Sequence, residues 1–138
     1  MRATFPLIPI VALAAWISPA GAQTNLLDRW YTAMFDVNRA AIADLLADDA
    51  VIKLEDLGVT KTKAEFIAAL DEWEEIVKTA NLAWQLEEGA VADESSSTVL
   101  VCYQFPDKEV MIREVFGFGD GKIASSVQST ASDNCEDF

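Results

Sequence analysis

Four strand-prone runs crowd the second half of this chain, at residues 82–92, 99–105, 109–118 and 122–130, separated by the turn signals "DESSS", "PDK" and "GDG". Runs so close in sequence pair with one another, which predicts an antiparallel meander. Asp120-Gly121 suits the last hairpin, because a type I′ turn needs positive φ at both central residues. A sheet of this kind has two faces, and helices must cover one of them.

Those helices are expected ahead of the sheet. Leu26, Leu27, Trp30, Tyr31, Met34 and Phe35 recur at helical spacing until "DVN", residues 36–38, interrupts them. Asn38 can cap a second helix with Ala41, Ile42, Leu45 and Leu46 on its inner side. Residues 51–57 are β-prone. Thr62 and Glu65 form a T-x-x-E capping box, which predicts a longer helix with Phe66, Ile67, Leu70, Trp73 and Val77 along one side. Helices followed by a meander, with no Pro/Gly/Ser-rich linker between them, predict one α+β domain over residues 23–138.

Residues 1–22, "MRATFPLIPIVALAAWISPAGA", have the order of a secretory signal peptide. A positive charge at Arg2 precedes an apolar stretch from Phe5 to Ile17, and small residues end in Ala20-Gly21-Ala22. Cleavage is expected between Ala22 and Gln23. A membrane anchor is the competing reading, but the apolar run is short of the ~20 residues a span needs, and Pro6 and Pro9 interrupt it. The expected location is periplasmic or secreted, with no membrane attachment after cleavage.

The formal charge is −13. Such a body repels phosphate backbones and anionic lipid, which argues against nucleic-acid and membrane-surface partners. Cys102 and Cys135 are the only cysteines, and an oxidising compartment favours their pairing as a structural disulfide. A catalytic thiol is the alternative, but the chain has no histidine to serve as its base. The same absence removes Ser-His-Asp triads and histidine-ligated zinc or haem. The acidic pairs Asp48-Asp49, Glu55-Asp56, Glu74-Glu75 and Glu87-Glu88 lack the spacing of a calcium loop, so neither a metal site nor a cofactor is expected.

The succession "LDRWYTAMFDVNRAAIADLLADDAVIKLEDLG", then "TKAEFIAALDEW", then a strand ending "IREVFGFGDGKI" resembles the nuclear transport factor 2-like superfamily, especially its SnoaL-like members, over about residues 26–127. The resemblance implies a cone in which a curved antiparallel sheet wraps a long helix and leaves an apolar cavity at its wide end. It also implies a homodimer through the outer sheet face. Both faces of residues 109–118 carry large apolar groups, so the contact is expected through the last three strands, with Met111 and Val115 or their opposite-face neighbours at its centre. Relatives of this kind include steroid isomerases, polyketide cyclases, dehydratases and binding modules without catalysis, so the fold does not settle the function.

Steroid-isomerase chemistry in such a cone uses a carboxylate base on the first strand, with a tyrosine and a protonated aspartate as oxyanion donors. Here the base position falls on Leu54, the tyrosine position on Trp30, and the second acid near Arg113 or Glu114. The full set is missing. A displaced acid/base site from Asp56, Tyr31 and Glu114 is the catalytic alternative. Strand alternation would put Asp56 on the face of Leu54, and Tyr31 lies about 100° round the helix from Trp30. The plainer account makes residues 55–58 a solvated strand end and Tyr31 a core residue.

Alternation along 109–118 places Glu114 with Val110, Ile112, Phe116 and Phe118, and Arg113 with Met111, Val115 and Gly117. Arg113 and Glu114 therefore point in opposite directions, and one of them is expected in the cavity. Trp30, Leu54, Arg113 and Glu114 are the candidate ligand contacts. The reading that follows is an exported module binding a small, largely apolar molecule. The alternatives are a lyase or isomerase of the dehydratase or cyclase kind with a pocket carboxylate as base, and a dimeric interaction domain without a ligand.

Overall fold

The computed structural model describes residues 19–87 and 95–138, with residues 19–23 by backbone alone. Helix α1, Pro19–Asp36, leads into α2, Arg39–Leu45, and strand β1, Leu46–Leu54. A 3-10 turn, Glu55–Leu57, precedes the short strand β2, Val59–Thr62. Helices α3, Lys63–Ala68, and α4, Leu70–Val77, come next. The chain then forms β3, Asn81–Leu86, β4, Ser96–Gln104, β5, Glu109–Gly119, and β6, Lys122–Ser132.

Local chemistry sets the joints. α1 stops at Val37, whose φ of 52° is left-handed. The Asn38 amide reaches back to the Ala33 carbonyl at 2.9 Å, and the Val37 amide to Met34 at 3.3 Å. This is a Schellman-like helix end made without glycine, a conformation that disfavours a β-branched residue by about 1–2 kcal/mol. Packing of the Val37 side chain against the core offsets that strain. Asn38 caps α2 by accepting from the Ala41 amide, and both hydrogen bonds of the Thr62/Glu65 capping box are made. Trp73 Nε1 donates at 2.8 Å to the Met34 carbonyl and so ties α4 to the last turn of α1.

The strands form one open sheet in the order β2-β1-β6-β5-β4-β3. β3 to β6 make the expected antiparallel meander. β1 lies parallel to β6, because both strands begin at the same end with Leu46 opposite Ile123, so the sheet is mixed rather than wholly antiparallel. Asp120 and Gly121 take φ of 53° and 74°, the two positive values a type I′ turn requires. Trp30, Ile42, Ile52, Leu70, Val99 and Phe116 are fully buried where the helices meet the inner sheet face. Trp30 stacks on Phe66 with ring centres 5.9 Å apart and meets Phe116 edge-on at 6.3 Å.

Cys102 on β4 is disulfide-bonded to Cys135, their Cα atoms 5.8 Å apart. The bond fastens the C-terminal segment to the sheet, where the Glu109 carboxylate also accepts from the Cys135 amide at 3.1 Å.

Several boundaries differ from expectation. Leu46 opens β1 instead of closing α2, and β1 ends at Leu54, so residues 55–57 coil into the 3-10 turn that Gly58 closes at φ 62°. The long helix expected after Thr62 is two helices, parted at Ala69, whose ψ of −7° departs from helical geometry. β2, only "VTKT", is too short to show an alternation signal. Residues 88–92 of the strand expected over 82–92 lie outside the described residues. So do residues 1–18 of the expected signal peptide, while residues 19–22 open α1. Among the described residues no helix is long and apolar enough to cross a membrane.

Candidate functional site

Strand register builds a row across the inner sheet face. Val59, Leu54, Gln128, Glu114 and Val99 stand opposite one another on β2, β1, β6, β5 and β4. The adjacent row runs Lys61, Ile52, Ser126 and Phe116. Residues two apart on a strand share a face, so Glu114 sits among Gln128, Ser126 and Phe116. Tyr31 reaches it from α1.

Glu114 is 2% exposed, and no cation among the described residues pairs with it. Three neutral groups hold it instead. Tyr31 Oη donates to Oε1 at 2.7 Å, Ser126 Oγ to Oε2 at 2.5 Å, and Gln128 Nε2 to Oε2 at 3.1 Å. Burial disfavours the charged form and pushes the carboxyl above its usual range; the hydrogen bonds from Ser126, Tyr31 and Gln128 pull the other way without overcoming it. Burial, followed by the nearby carboxylate, also raises the Tyr31 phenol well above its ordinary value. Tyr31 therefore acts as a hydrogen-bond donor at neutral pH. Its ring is held by stacking on Trp84 at 5.4 Å and by an edge contact with Phe116 at 6.1 Å.

This pair forms one polar wall of a cavity of about 170 Å³. Trp30, Phe66, Trp73, Tyr103, Met34 and Leu54 supply most of the apolar surface, with Leu70 and Ala69 beneath the α3–α4 break. Gln128 and Lys61 complete the lining. An apolar cavity of about 150 Å³ takes up benzene, so this volume suits a single substituted ring and is too small to enclose a four-ring skeleton. A carboxylate offers about four acceptor positions, and three are filled here, which leaves one for a ligand.

Trp30, Tyr31, Leu54 and Glu114, all singled out from the sequence, line this cavity. Arg113 does not. Strand alternation turns it to the outer face, where it binds Glu87 through Nε at 3.0 and 3.2 Å and Nη2 at 2.6 Å. That pairing holds the Glu87 carboxyl below its usual range. Asp56 also lies outside. The strand ends before it, so alternation no longer applies, and the 3-10 turn carries it to the surface. There its carboxylate accepts from the Thr130 amide at 2.7 Å, and hydrogen bonding from the Thr130 side chain first, then from its backbone, lowers its pKa. Asp56 borders a separate depression that shares Leu54 and Gln128 with the cavity.

Sequence reasoning missed Lys61, Ser126 and Gln128. An extra residue on β6, Ala124, shifts the register between Gly117 and Phe118, so Ile123 and Ser126 share a face despite their odd spacing. Simple alternation hides that. Lys61 directly precedes the capping box, but β2 is too short for alternation to mark which of its residues faces inward.

No protein-family profile and no curated protein matches this chain by sequence. Solved structures match it by shape. An NTF-2 like protein of unknown function from Burkholderia xenovorans superposes with a TM-score of 0.69 at 16% identity, covering 86% of this chain and 88% of its own. A Kribbella flavida protein provisionally assigned as a ketosteroid isomerase gives 0.67 at 18% identity, over 80% and 78% of the two chains. An LEH-like epoxide hydrolase from M. tuberculosis gives 0.57 at 13% identity, over 79% and 82%. At these identities the likeness is one of fold.

Proposed function

Because the chain has the nuclear transport factor 2-like, cystatin-like cone fold, we propose that it binds a small, largely apolar molecule in the cavity beneath α1. The molecule's one hydrogen-bonding group is directed at the Tyr31–Glu114 pair. The observation that carries this reading is an apolar cavity of about 170 Å³ whose wall holds a buried, hydrogen-bonded acid with a free acceptor position. Few polar groups in a mostly apolar pocket are what a specific small-molecule site requires. p-Cresol, one ring with one hydroxyl, is a suitable probe. Saturable quenching of tryptophan emission is expected, because Trp30 and Trp73 line the cavity. Ala69→Phe, which fills the cavity, is expected to abolish it; quenching that survives the substitution would place binding elsewhere.

A lyase or isomerase is the second reading, favoured by the raised pKa of Glu114. A carboxyl displaced upward by burial lies nearer the range useful for proton transfer at neutral pH. In that case Glu114, not Asp56, is the base.

We also read the protein as exported and cleaved after Ala22, which the Cys102–Cys135 bond supports, since such bonds persist in oxidising compartments. The outer sheet face around Val115 is assigned to a homodimer contact.

A further inference from the structure

The cavity has a second polar end that the binding reading leaves unused. Lys61 stands on β2 opposite Ile52, a fully buried residue of the inner face, so its side chain is directed inward. It lines the same cavity as Tyr31 and Glu114. Arg39, Lys63, Lys78, Arg113 and Lys122 each have a carboxylate within 4 Å. Lys61 has no such partner among the described residues; its field only adds to the hydrogen bonds from Thr62 that hold the Glu65 carboxyl low. Lys61 shares the lining with Trp30, Phe66 and Trp73, and a bound anion would give its ammonium group the charge partner it lacks.

Glu114 does not fill that role. It lies on β5, three strands from β2, which on a flat sheet is roughly 14 Å at the backbone. Burial raises its pKa, and the hydrogen bonds from Ser126, Tyr31 and Gln128 lower it. The two polar ends are therefore separate, with Ile52 and Leu54 on β1 and Ser126 and Gln128 on β6 between them along the sheet.

We propose that the site takes an aromatic monocarboxylate, with its carboxylate against Lys61, its ring among Trp30, Phe66 and Trp73, and any hydroxyl or carbonyl at the far end against Tyr31 and Glu114. The inference rests on the cavity being a ligand site. One lysine balances one negative charge, and the formal charge of −13 opposes a dianion more strongly than a monoanion. The cavity volume has room to enclose about one ring.

Phenylacetate and phenylacetamide, nearly the same size and different in charge, separate the possibilities. Both are titrated by ¹H–¹⁵N chemical shifts at pH 7 in ~0.15 M salt, where a Debye length of about 8 Å screens remote acidic groups. Phenylacetate is expected to bind about tenfold more tightly, the effect of a contact worth about 1.4 kcal/mol. Lys61→Gln is expected to bring phenylacetate down to the affinity of phenylacetamide, and Lys61→Arg to keep the preference; the amide spectra report whether each variant is folded. Equal affinities in the wild type, or a preference that survives Lys61→Gln, overturn the anion assignment and leave the pocket standing. Failure of both probes to shift the indole signals of Trp30 and Trp73 overturns the assignment and the pocket together.

Discussion

Tyr31 and Glu114, 83 positions apart in sequence, meet in a 2.7 Å hydrogen bond with both side chains buried. Burial is the main reason the Glu114 carboxyl titrates above its ordinary 4.5 in the folded protein. The folded state thus holds that proton more tightly than the unfolded chain. The stability this group contributes is fully present below about pH 4.5 and is lost as pH rises through the raised value, at about 1.4 kcal/mol for each unit of elevation. Glu114→Gln keeps the shape and has no charge to desolvate. Relative to wild type, the variant is expected to gain stability between pH 4.5 and pH 8. Urea midpoints at the two pH values check this, and a wild-type-to-variant difference that does not change with pH contradicts it.

The meander was legible because each of its signals is local: alternation, a turn dipeptide, a capping box. Asn38 and Thr62 cap where their types and spacings say they should. What escaped depends on contacts distant in sequence. Nothing near Leu46 announces that it will pair with Ile123, and that pairing lengthens β1 at its start. Asp56 lies at the solvated strand end of the plainer account; the displaced site needed alternation to continue past Leu54, where the chain instead coils towards Gly58. The opposed directions of Arg113 and Glu114 followed from strand period alone. Which of them met the cavity depended on where the helices packed, and that is a tertiary fact.

Ketosteroid isomerisation is expected to be absent. Leu54, at the position where the resemblance implies a carboxylate base, lines the cavity with an apolar side chain, and Asp56 is engaged with Thr130 at the surface. Glu114, the acid that remains, stands where the resemblance implies an oxyanion donor and not where it implies the base that takes the steroid's proton. A Δ5-3-ketosteroid incubated with the protein should isomerise no faster than in buffer. Rapid turnover abolished by Asp56→Asn would mean that the 3-10 turn rearranges to bring Asp56 inward.

The Cys102–Cys135 bond closes a loop with a sequence separation of 33. Chain entropy predicts roughly 3–4 kcal/mol of stabilisation from a loop of that size. Reduction is expected to lower the urea midpoint accordingly, and thiol titration of the unfolded, unreduced protein should find no free sulfhydryl. Two titratable thiols per chain would show that the bond does not form.

Self-association is the remaining expectation, and the structure narrows where it can occur. Met111, opposite Cys102 in the strand register, is 7% exposed and so is unavailable as the centre of a contact. Val115 is 38% exposed on the same face, flanked across the strands by Thr98 and Val127. Two such faces packed together would bury on the order of 1,600 Å² in all if the contact is of standard size. The charge of −13 opposes it, but at ~0.15 M salt that repulsion reaches only about 8 Å, so burial is expected to win. Val115→Asp places a further negative charge where the two copies meet and should shift the protein to monomer while leaving its circular dichroism unchanged. Sedimentation velocity at micromolar concentration decides the matter: a wild-type protein that is already monomeric, and stays so as salt is raised, removes the dimer.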